Sequence, residues 1–365
     1  MGGGAQPQDP SSGKAAMSHI TYLEASVVGL IQGVTELFPV SSLGHNVLIP
    51  ALIGGSWASD LNVAAPESPY LAFIVGLHVA TALAMLIYFW RDWVRIIGGF
   101  FSSIRDREIV TVDQKMAWMI ILATIPVGLV GLVFEHEFRV LFAKPIRAAI
   151  FLAINGLILY AGERFRTKKS LAADAEQAAE SEPASTRAVV ADAVMADSVA
   201  ADTRATRPPA TPGVAAHASG QRAVRQQEVS RAVQADRRLT TVGYWQALII
   251  GSAQVLALLA GISRDGVVMV AGMFDGLSRQ DAARFSFLLS TPVILAAGVL
   301  KVPDLTGHLG NGIHGQIVVG SILSGVGAYM SVRFLMKYFQ TRTLTPFAIY
   351  CLVFGLGSII YLSVK

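Results

Sequence analysis

The chain has 365 residues, of which 53% are hydrophobic and 15% are charged. Soluble domains carry about 25% charged residues, so the composition excludes an ordinary soluble enzyme and is typical of an integral membrane protein. The formal net charge of +4 does not indicate nucleic-acid binding, because the basic residues lie in loops between apolar segments, where they orient membrane proteins.

The first predicted element is an interrupted apolar segment. It follows a Gly-, Pro- and Ser-rich head, residues 1–18, which we expect to be a flexible tail. Apolar residues occupy 20–38 and then 43–54, with FPVSSLGH at the junction. The second stretch is too short to cross a hydrocarbon core of about 30 Å at 1.5 Å per residue. A helix broken inside a membrane needs protein or a wet cavity around its free backbone groups. We therefore predict a re-entrant helix–loop–helix hairpin.

Three further apolar runs, 70–90, 117–134 and 146–161, are predicted transmembrane helices and complete a first membrane repeat over 19–161. The composition then changes to Ala, Ser, Thr, Pro and charged residues. Such a segment buries too little apolar area to offset its chain entropy. We predict a disordered cytoplasmic linker over 162–242.

The second half, 243–365, has the same order of elements. Two apolar stretches, 243–260 and 266–275, flank the sequence AGISRDG and predict a second re-entrant hairpin. Three apolar runs follow it and predict three transmembrane helices: 285–300, 313–332 and 346–363.

Four residues recur at the same spacing in both halves. The first hairpin contains Gly29, Gln32, Ser41 and Gly44, and the second contains Gly251, Gln254, Ser263 and Gly266. Each half makes three crossings, an odd number, so the halves insert in opposite orientations. The predicted fold is an all-α integral membrane protein with an inverted-topology repeat, and its site lies near the midplane where the broken helices meet.

The distribution of Lys and Arg predicts the orientation. The loops 91–115, 276–284 and 333–345 and the flanks of the linker carry most of these residues. The positive-inside rule places this side in the cytoplasm and both termini outside.

Ionisable side chains inside membrane segments indicate a functional site, because they are costly to insert. Four of them lie in or just before the two junctions: Glu36, His45, Arg264 and Asp265. Arg264 offers a planar fork of donors for phosphate oxygens, and both junctions place Ser and Gly at a helix start, which favours an anion. The pattern predicts phosphate chemistry within the membrane. The alternatives are a structural salt bridge between the hairpins and a transporter or flippase for a phosphorylated lipid or anionic solute.

The sequences QGVTELFPVSSLGH and GLSRQDAARFSFLLSTPVILAAG, together with GISRDG, resemble the undecaprenyl-diphosphate phosphatase family, also called the bacitracin-resistance family. The resemblance covers about 20–161 and 243–363. It implies a polyprenyl diphosphate lipid as substrate, hydrolysed to the monophosphate carrier used in cell-wall synthesis. It also implies inverted repeats with two re-entrant hairpins in a bacterial inner membrane. We further expect the site to open to the extracytoplasmic side, and we expect a homodimer.

Roles for the site residues follow from this resemblance. We expect Arg264 and the helix-start N–H groups to bind the diphosphate, and Ser42 to be the nucleophile, activated by His45 or Glu36. Direct attack by water held by Glu36 is the alternative. Glu36 is also the expected ligand of a divalent cation, Mg²⁺ or Ca²⁺. The remaining residues expected to contact substrate are Gln32, Ser41, Gly44, Ser263, Asp265 and Gly266.

The chain departs from the family pattern at Gln32, often glutamate, at Ala260, usually proline, and at Asp265, usually serine. Gln32 puts the metal arrangement in doubt, and Asp265 adds a negative charge beside the phosphate-binding arginine. Outside the junctions, His78 lies in an apolar run, where we expect it to be a helix-contact residue.

Overall fold

The computed structural model describes residues 20–62, 69–142, 144–181, 234, 236–306 and 312–364, and every regular element in these residues is helical. The expected tail and most of the expected linker lie outside the described residues. An all-helical architecture is what a membrane interior requires of a chain that does not form a closed barrel, because helices satisfy their own backbone hydrogen bonds.

The first half begins with two short helices, α1 (Tyr22–Thr35) and α2 (Ser42–Ile53). A capping box starts α1: Glu24 N–H donates to the Thr21 hydroxyl, and the Glu24 carboxylate accepts from the Thr21 N–H at 2.8 Å. At the end of α2 the chain turns through Gly54, whose φ of +77° is in the left-handed region that favours glycine. The break between α1 and α2 falls at the junction predicted from the sequence.

The rest of the first half consists of six helices. They are α3 (Gly55–Asp60), α4 (Pro69–Tyr88), α5 (Trp90–Asp106), α6 (Val112–Phe142), α7 (Pro145–Arg164) and α8 (Lys168–Ser181). The second half consists of α9 (Tyr244–Ser252), continued by a 3₁₀ turn (Ala253–Leu258), then α10 (Arg264–Phe274), α11 (Arg279–Thr306), α12 (His314–Tyr338) and α13 (Thr345–Val364).

Five of the described helices are long and apolar enough to cross a membrane, and a sixth span is reached if α4 and α5 count as one bent segment. The five spans are Val112–Phe134, Pro145–Arg164, Arg279–Leu300, His314–Tyr338 and Thr345–Val364. These spans and α4 coincide with the six apolar runs predicted as crossings.

Two segments differ from the prediction. Residues 91–106, expected as loop, belong to α5, which bends away from α4 by 85°. Its apolar residues Val94, Ile97 and Phe101 follow helical spacing and are exposed along one face. The start of the expected linker forms α8. Asp174 in this helix pairs with Arg166 and with Arg279, and the second of these ion pairs holds α8 against the start of α11.

The packing of the helices follows the internal repeat. Helix α1 lies along α12, α9 lies along α6, and α7 lies along α13 between the two halves. Small residues permit these close approaches: a Cβ on Gly29 would lie 2.5 Å from the carbonyl oxygen of Gly320, and one on Gly355 would lie 2.7 Å from the backbone nitrogen of Ala153. Such contacts are typical of helix pairs in membranes.

Candidate active site

The same cap starts the helix after each break. The Ser41 hydroxyl accepts from the N–H of Gly44 at 3.2 Å, and the Ser263 hydroxyl accepts from the N–H of Gly266 at 3.1 Å. Ser41 is one of only two described residues other than glycine with positive φ, at +69°. The predicted equivalence of these four residues therefore extends to the cap hydrogen bond. It does not extend to the backbone of the cap residue, because φ of Ser263 is −85°.

The two breaks are held together by Asn155 of α7, a fully buried residue. Its amide nitrogen donates to the carbonyl of Pro39 at 2.9 Å, and its amide oxygen accepts from the N–H of Ser263 at 3.0 Å. Sequence reasoning missed Asn155. The available signal was an amide side chain inside an apolar run, which is retained only where its polar atoms find partners.

Glu36, directly after α1, is the centre of the site. One carboxylate oxygen, Oε1, accepts from the guanidinium of Arg264 at the start of α10. The other, Oε2, accepts from the hydroxyl of Ser42 and from the amide of Gln32 at 2.8 Å. The Glu36 side chain is 2% exposed and that of Arg264 is 18% exposed. The carboxylate is therefore inside the protein, while the arginine is accessible to a ligand.

Gln32 orients Glu36 from one turn earlier in α1. Its amide nitrogen donates to Glu36, and its amide oxygen accepts from the side chain of Asn46 at 2.6 Å. The amide is completely buried. The family resemblance leads us to expect a second carboxylate at this position. Here the position is occupied by the neutral amide of Gln32, which holds the carboxylate of Glu36 in place.

His78 of α4 also reaches this carboxylate. Its Nε2 lies 3.4 Å from Oε2 of Glu36, and its Nδ1 lies 2.9 Å from the carbonyl oxygen of Ile74. The sequence led us to expect that His78 contacts a neighbouring helix. The group that it contacts is Glu36, the central carboxylate of the site.

His45 is oriented differently from what the sequence led us to expect. Its Nδ1 lies 2.7 Å from the carbonyl oxygen of Ser41, and its Nε2 lies 2.7 Å from the hydroxyl of Tyr350. Its ring stacks against Tyr350 and Phe354 of α13. Of the two residues expected to activate Ser42, the structure places Glu36 at the hydroxyl and engages both ring nitrogens of His45 elsewhere.

Asp265 is buried against α11 rather than directed at Glu36. Its Oδ1 accepts from the hydroxyls of Ser286 at 2.6 Å and Ser290 at 2.7 Å. Within the described part of the chain, Oδ2 of Asp265 and Nε of Arg264 are buried polar atoms without a hydrogen-bond partner. The Nε–H of Arg264 is therefore an unpaired donor that is itself buried.

The side chains around Glu36 do not form a ready-made site for a divalent cation. Among the described residues, no group of three or more His, Cys, Asp or Glu side chains is arranged to hold a metal. Magnesium is usually held by one or two carboxylates together with substrate phosphates. Here both oxygens of Glu36 already accept hydrogen bonds, and Arg264 carries donors only. This set does not fit a resident cation, and the expected Mg²⁺ or Ca²⁺ stays a prediction.

Comparison with known proteins identifies relatives over nearly the whole chain. The family model for the bacitracin resistance protein BacA matches residues 25–191 and 185–357. The undecaprenyl-diphosphatase of Mycolicibacterium paratuberculosis is 53% identical over 95% of this chain and 99% of its own length. Undecaprenyl-diphosphatase 2 of Frankia alni is 53% identical over 93% and 97%, and that of Chromobacterium violaceum is 35% identical over 93% and 98%.

Proposed function

We infer the function from two findings: the chain belongs to the bacitracin resistance protein BacA family, and its two helix breaks bring one carboxylate, one serine and one arginine together. The protein is a membrane undecaprenyl-diphosphate phosphatase. It hydrolyses undecaprenyl diphosphate to undecaprenyl phosphate and inorganic phosphate, and so returns the carrier lipid to cell-wall synthesis. The convergence of Ser42 and Arg264 on Glu36 is the observation that carries the assignment of the site.

Binding of the diphosphate is assigned to Arg264 and to the N-termini of α2 and α10. The Arg264 side chain is partly exposed, and guanidinium forks suit phosphate oxygens. Free N–H groups and the helix dipole add to this attraction at each helix start. Ser41, Gly44, Ser263 and Gly266 build these two helix starts, so their role is to shape the anion site.

Ser42 is the proposed nucleophile and Glu36 its base. The Ser42 hydroxyl donates to Oε2 of Glu36, so the carboxylate is placed to remove that proton as the oxygen attacks phosphorus. The Pβ–O bond to the lipid phosphate breaks, and a water molecule then hydrolyses the phosphoserine with Glu36 as base. Attack by water held by Glu36 remains the alternative for the first step.

The arrangement in the bilayer is proposed from helix lengths and charge. Helices α2 and α10 have 12 and 11 residues, too few to span the hydrocarbon core at 1.5 Å per residue. We assign α1–α2 and α9–α10 to two re-entrant hairpins of an inverted repeat. The basic loops face the cytoplasm, and the site opens to the other side. The homodimer expected from the sequence stays a prediction.

Replacing Glu36 tests the assignment. We expect Glu36→Gln to keep the fold and to lower kcat for phosphate release from undecaprenyl diphosphate by about 10²- to 10⁴-fold, the usual contribution of a general base. Phosphate release by purified protein in detergent is the measurement. Glu176→Gln on the exposed face of α8 is the matched control. Full activity of Glu36→Gln, or a wild type that binds the lipid without releasing phosphate, would exclude the proposed function.

A further inference from the structure

Asn46 of α2 is a buried polar residue that the proposed mechanism leaves unused. It is 2% exposed, and its amide nitrogen donates to the amide oxygen of Gln32 at 2.6 Å. Gln32 in turn donates to Oε2 of Glu36 at 2.8 Å. The three side chains therefore form one chain of hydrogen bonds, which ends on the central carboxylate of the site.

The direction of this chain of hydrogen bonds is set by Glu36. A carboxylate can only accept, and the guanidinium of Arg264 pairs with this one. The end of the Gln32 amide beside Glu36 must therefore be the NH₂ group, which leaves the amide oxygen on the opposite side. The two ends of an amide have nearly the same shape, and with its oxygen turned toward Glu36 the amide would be repelled. The donor on Asn46 prevents this, because it holds the Gln32 oxygen on the side away from Glu36.

The second half of the chain contains the same glutamine without this donor. The spacing of the repeat aligns Gln32 with Gln254 and Asn46 with Val268. Gln254 is also completely buried, and its amide nitrogen donates to backbone carbonyls. Its amide oxygen is one of the described buried polar atoms that have no hydrogen-bond partner. The helix after a break thus forms with valine at this position, and the asparagine occurs in the half that contains the carboxylate.

The backbone of Asn46 is held as well as its side chain. Pro50, one turn later in α2, has no N–H and cannot donate to the carbonyl of Asn46. The hydroxyl of Tyr70, from α4, donates to this carbonyl at 3.4 Å. Tyr70 is fully buried. Asn46 is therefore fixed at two points, which suits a residue that keeps a neighbouring side chain in one orientation.

We propose that Asn46 is a positioning residue for the phosphatase reaction and acts on Glu36 through the amide of Gln32. Asn46 determines which end of that amide faces Glu36. Gln32 then holds Oε2, the oxygen that also accepts from the Ser42 hydroxyl. The base is thereby directed at the nucleophile before substrate binds. The proposal rests on the assigned function and deepens it, because it names what holds the single carboxylate of the site in place.

The test replaces Asn46 by valine, the residue at the equivalent position of the second half. We expect Asn46→Val to lower kcat for phosphate release from undecaprenyl diphosphate by about 10- to 10²-fold per folded molecule. Misplacing a catalytic group by about 1 Å is enough for the larger loss. KM should change little, because Arg264 and the helix starts that are proposed to bind the diphosphate stay in place. Asn46→Ala removes the donor without adding volume and should show the same loss.

A double-mutant cycle tests whether Asn46 acts through Gln32. Gln32→Leu alone already removes the amide that contacts Glu36, so Asn46→Val should cause no further loss of kcat in that background. A role of Asn46 in packing alone would instead lower Tm and leave kcat per folded molecule at the wild-type value. Gln254→Leu removes the equivalent amide of the other half, and as the matched control it should keep the wild-type kcat.

Three results would overturn the proposal. They are a wild-type kcat in folded Asn46→Val and Asn46→Ala, losses that multiply in the double variant, and an equal loss in Gln254→Leu. An active Asn46→Val beside an inactive Glu36→Gln would overturn this inference alone and leave the phosphatase assignment intact. A wild type that binds the lipid without releasing phosphate would remove the function on which the inference rests.

Discussion

Asp265 shows how burial decides the role of a charged residue. It is adjacent to Arg264 in the sequence, which suggested that its charge acts on the bound phosphate. In the structure its carboxylate is directed at α11, where two serine hydroxyls donate to it. Arg264 is directed instead at Glu36. The two neighbouring side chains therefore serve different tasks, one joining α10 to α11 and the other accessible to substrate.

Replacing the carboxylate of Asp265 tests whether Asp265 and Arg264 have these separate roles. We expect Asp265→Ala to destabilise the protein by about 1–3 kcal/mol, because two buried hydroxyls lose their acceptor. Asp265→Asn, which retains an acceptor oxygen, should be milder. The measurements are the Tm in detergent and the steady-state kinetics of phosphate release, with kcat and KM per folded molecule close to wild type. An unchanged Tm together with a raised KM would instead assign Asp265 to substrate binding.

The sequence singled out residues that meet in the structure, such as Glu36 and Arg264, but it did not give the contacts that depend on distant helices. The costly ionisable groups Glu36 and Arg264 were identified from the sequence alone, because membrane insertion makes such residues informative. The pairing of Glu36 with His78, which follows it by 42 positions in another helix, could not be derived from spacing. The orientation of His45 toward Tyr350 likewise depends on how α2 packs on α13.

At the scale of elements, the site depends on α7 as much as on the two breaks. Asn155 hydrogen-bonds to the backbone of both junctions, at Pro39 and at Ser263. The junctions also touch each other directly: a Cβ on Gly44 would lie 3.0 Å from the Cα of Gly261. Ser42 comes shortly after Pro39 in the sequence, and Arg264 directly follows Ser263. The two hydrogen bonds of Asn155 therefore help to set how far Ser42 and Arg264 lie from Glu36.

Removing the Asn155 side chain should lower both the stability of the protein and its kcat. Asn155→Ala removes the acceptor of the buried Ser263 N–H, at about 1–3 kcal/mol. It also leaves the Pro39 carbonyl with the weak thiol donor of Cys351 at 3.9 Å. A displacement of the junctions by about 1 Å is enough to lower kcat by about 10²-fold. Tm and kcat are the measurements, and Leu157→Ala, at an exposed position of the same helix, is the matched control. A stable, fully active Asn155→Ala would show that the junctions hold each other without α7.

Element prediction was accurate for long apolar runs and poor for amphipathic ones. Hydropathy identifies a segment such as 346–363, which is α13, because nearly every residue is apolar. Helix α5 escaped detection because its arginines and aspartates interrupt the apolar residues, so that only the three- and four-residue spacing of Val94, Ile97 and Phe101 marks it. Similarly, α8 depends on ion pairs with Arg166 and Arg279, which composition does not reveal.

At the scale of the whole molecule, the internal repeat gives both halves an equivalent helix start. The residues that differ between the halves provide the proposed nucleophile, base and phosphate-binding arginine. The spacing that aligns Ser41 with Ser263 also aligns Ser42 with Arg264 and Glu36 with Leu258. One half thus contributes the proposed nucleophile and base, and the other contributes the proposed phosphate-binding arginine from the equivalent helix start. Two copies of one hairpin could not provide this, because a symmetric site would carry either two nucleophiles or two arginines.

The proposed orientation in the membrane makes the last prediction. Helix α12 is a candidate span between Thr341, on the side of the basic loops, and His314, on the opposite side. The single cysteine, Cys351, is buried, so the native chain offers a low background for labelling. In intact cells a membrane-impermeant maleimide should label His314→Cys, whereas Thr341→Cys should react only after permeabilisation, because the positive-inside rule places that loop in the cytoplasm. Labelling of both positions by intact cells would show that α12 does not cross the membrane. The reverse pattern would place the basic loops outside and turn the site toward the cytoplasm.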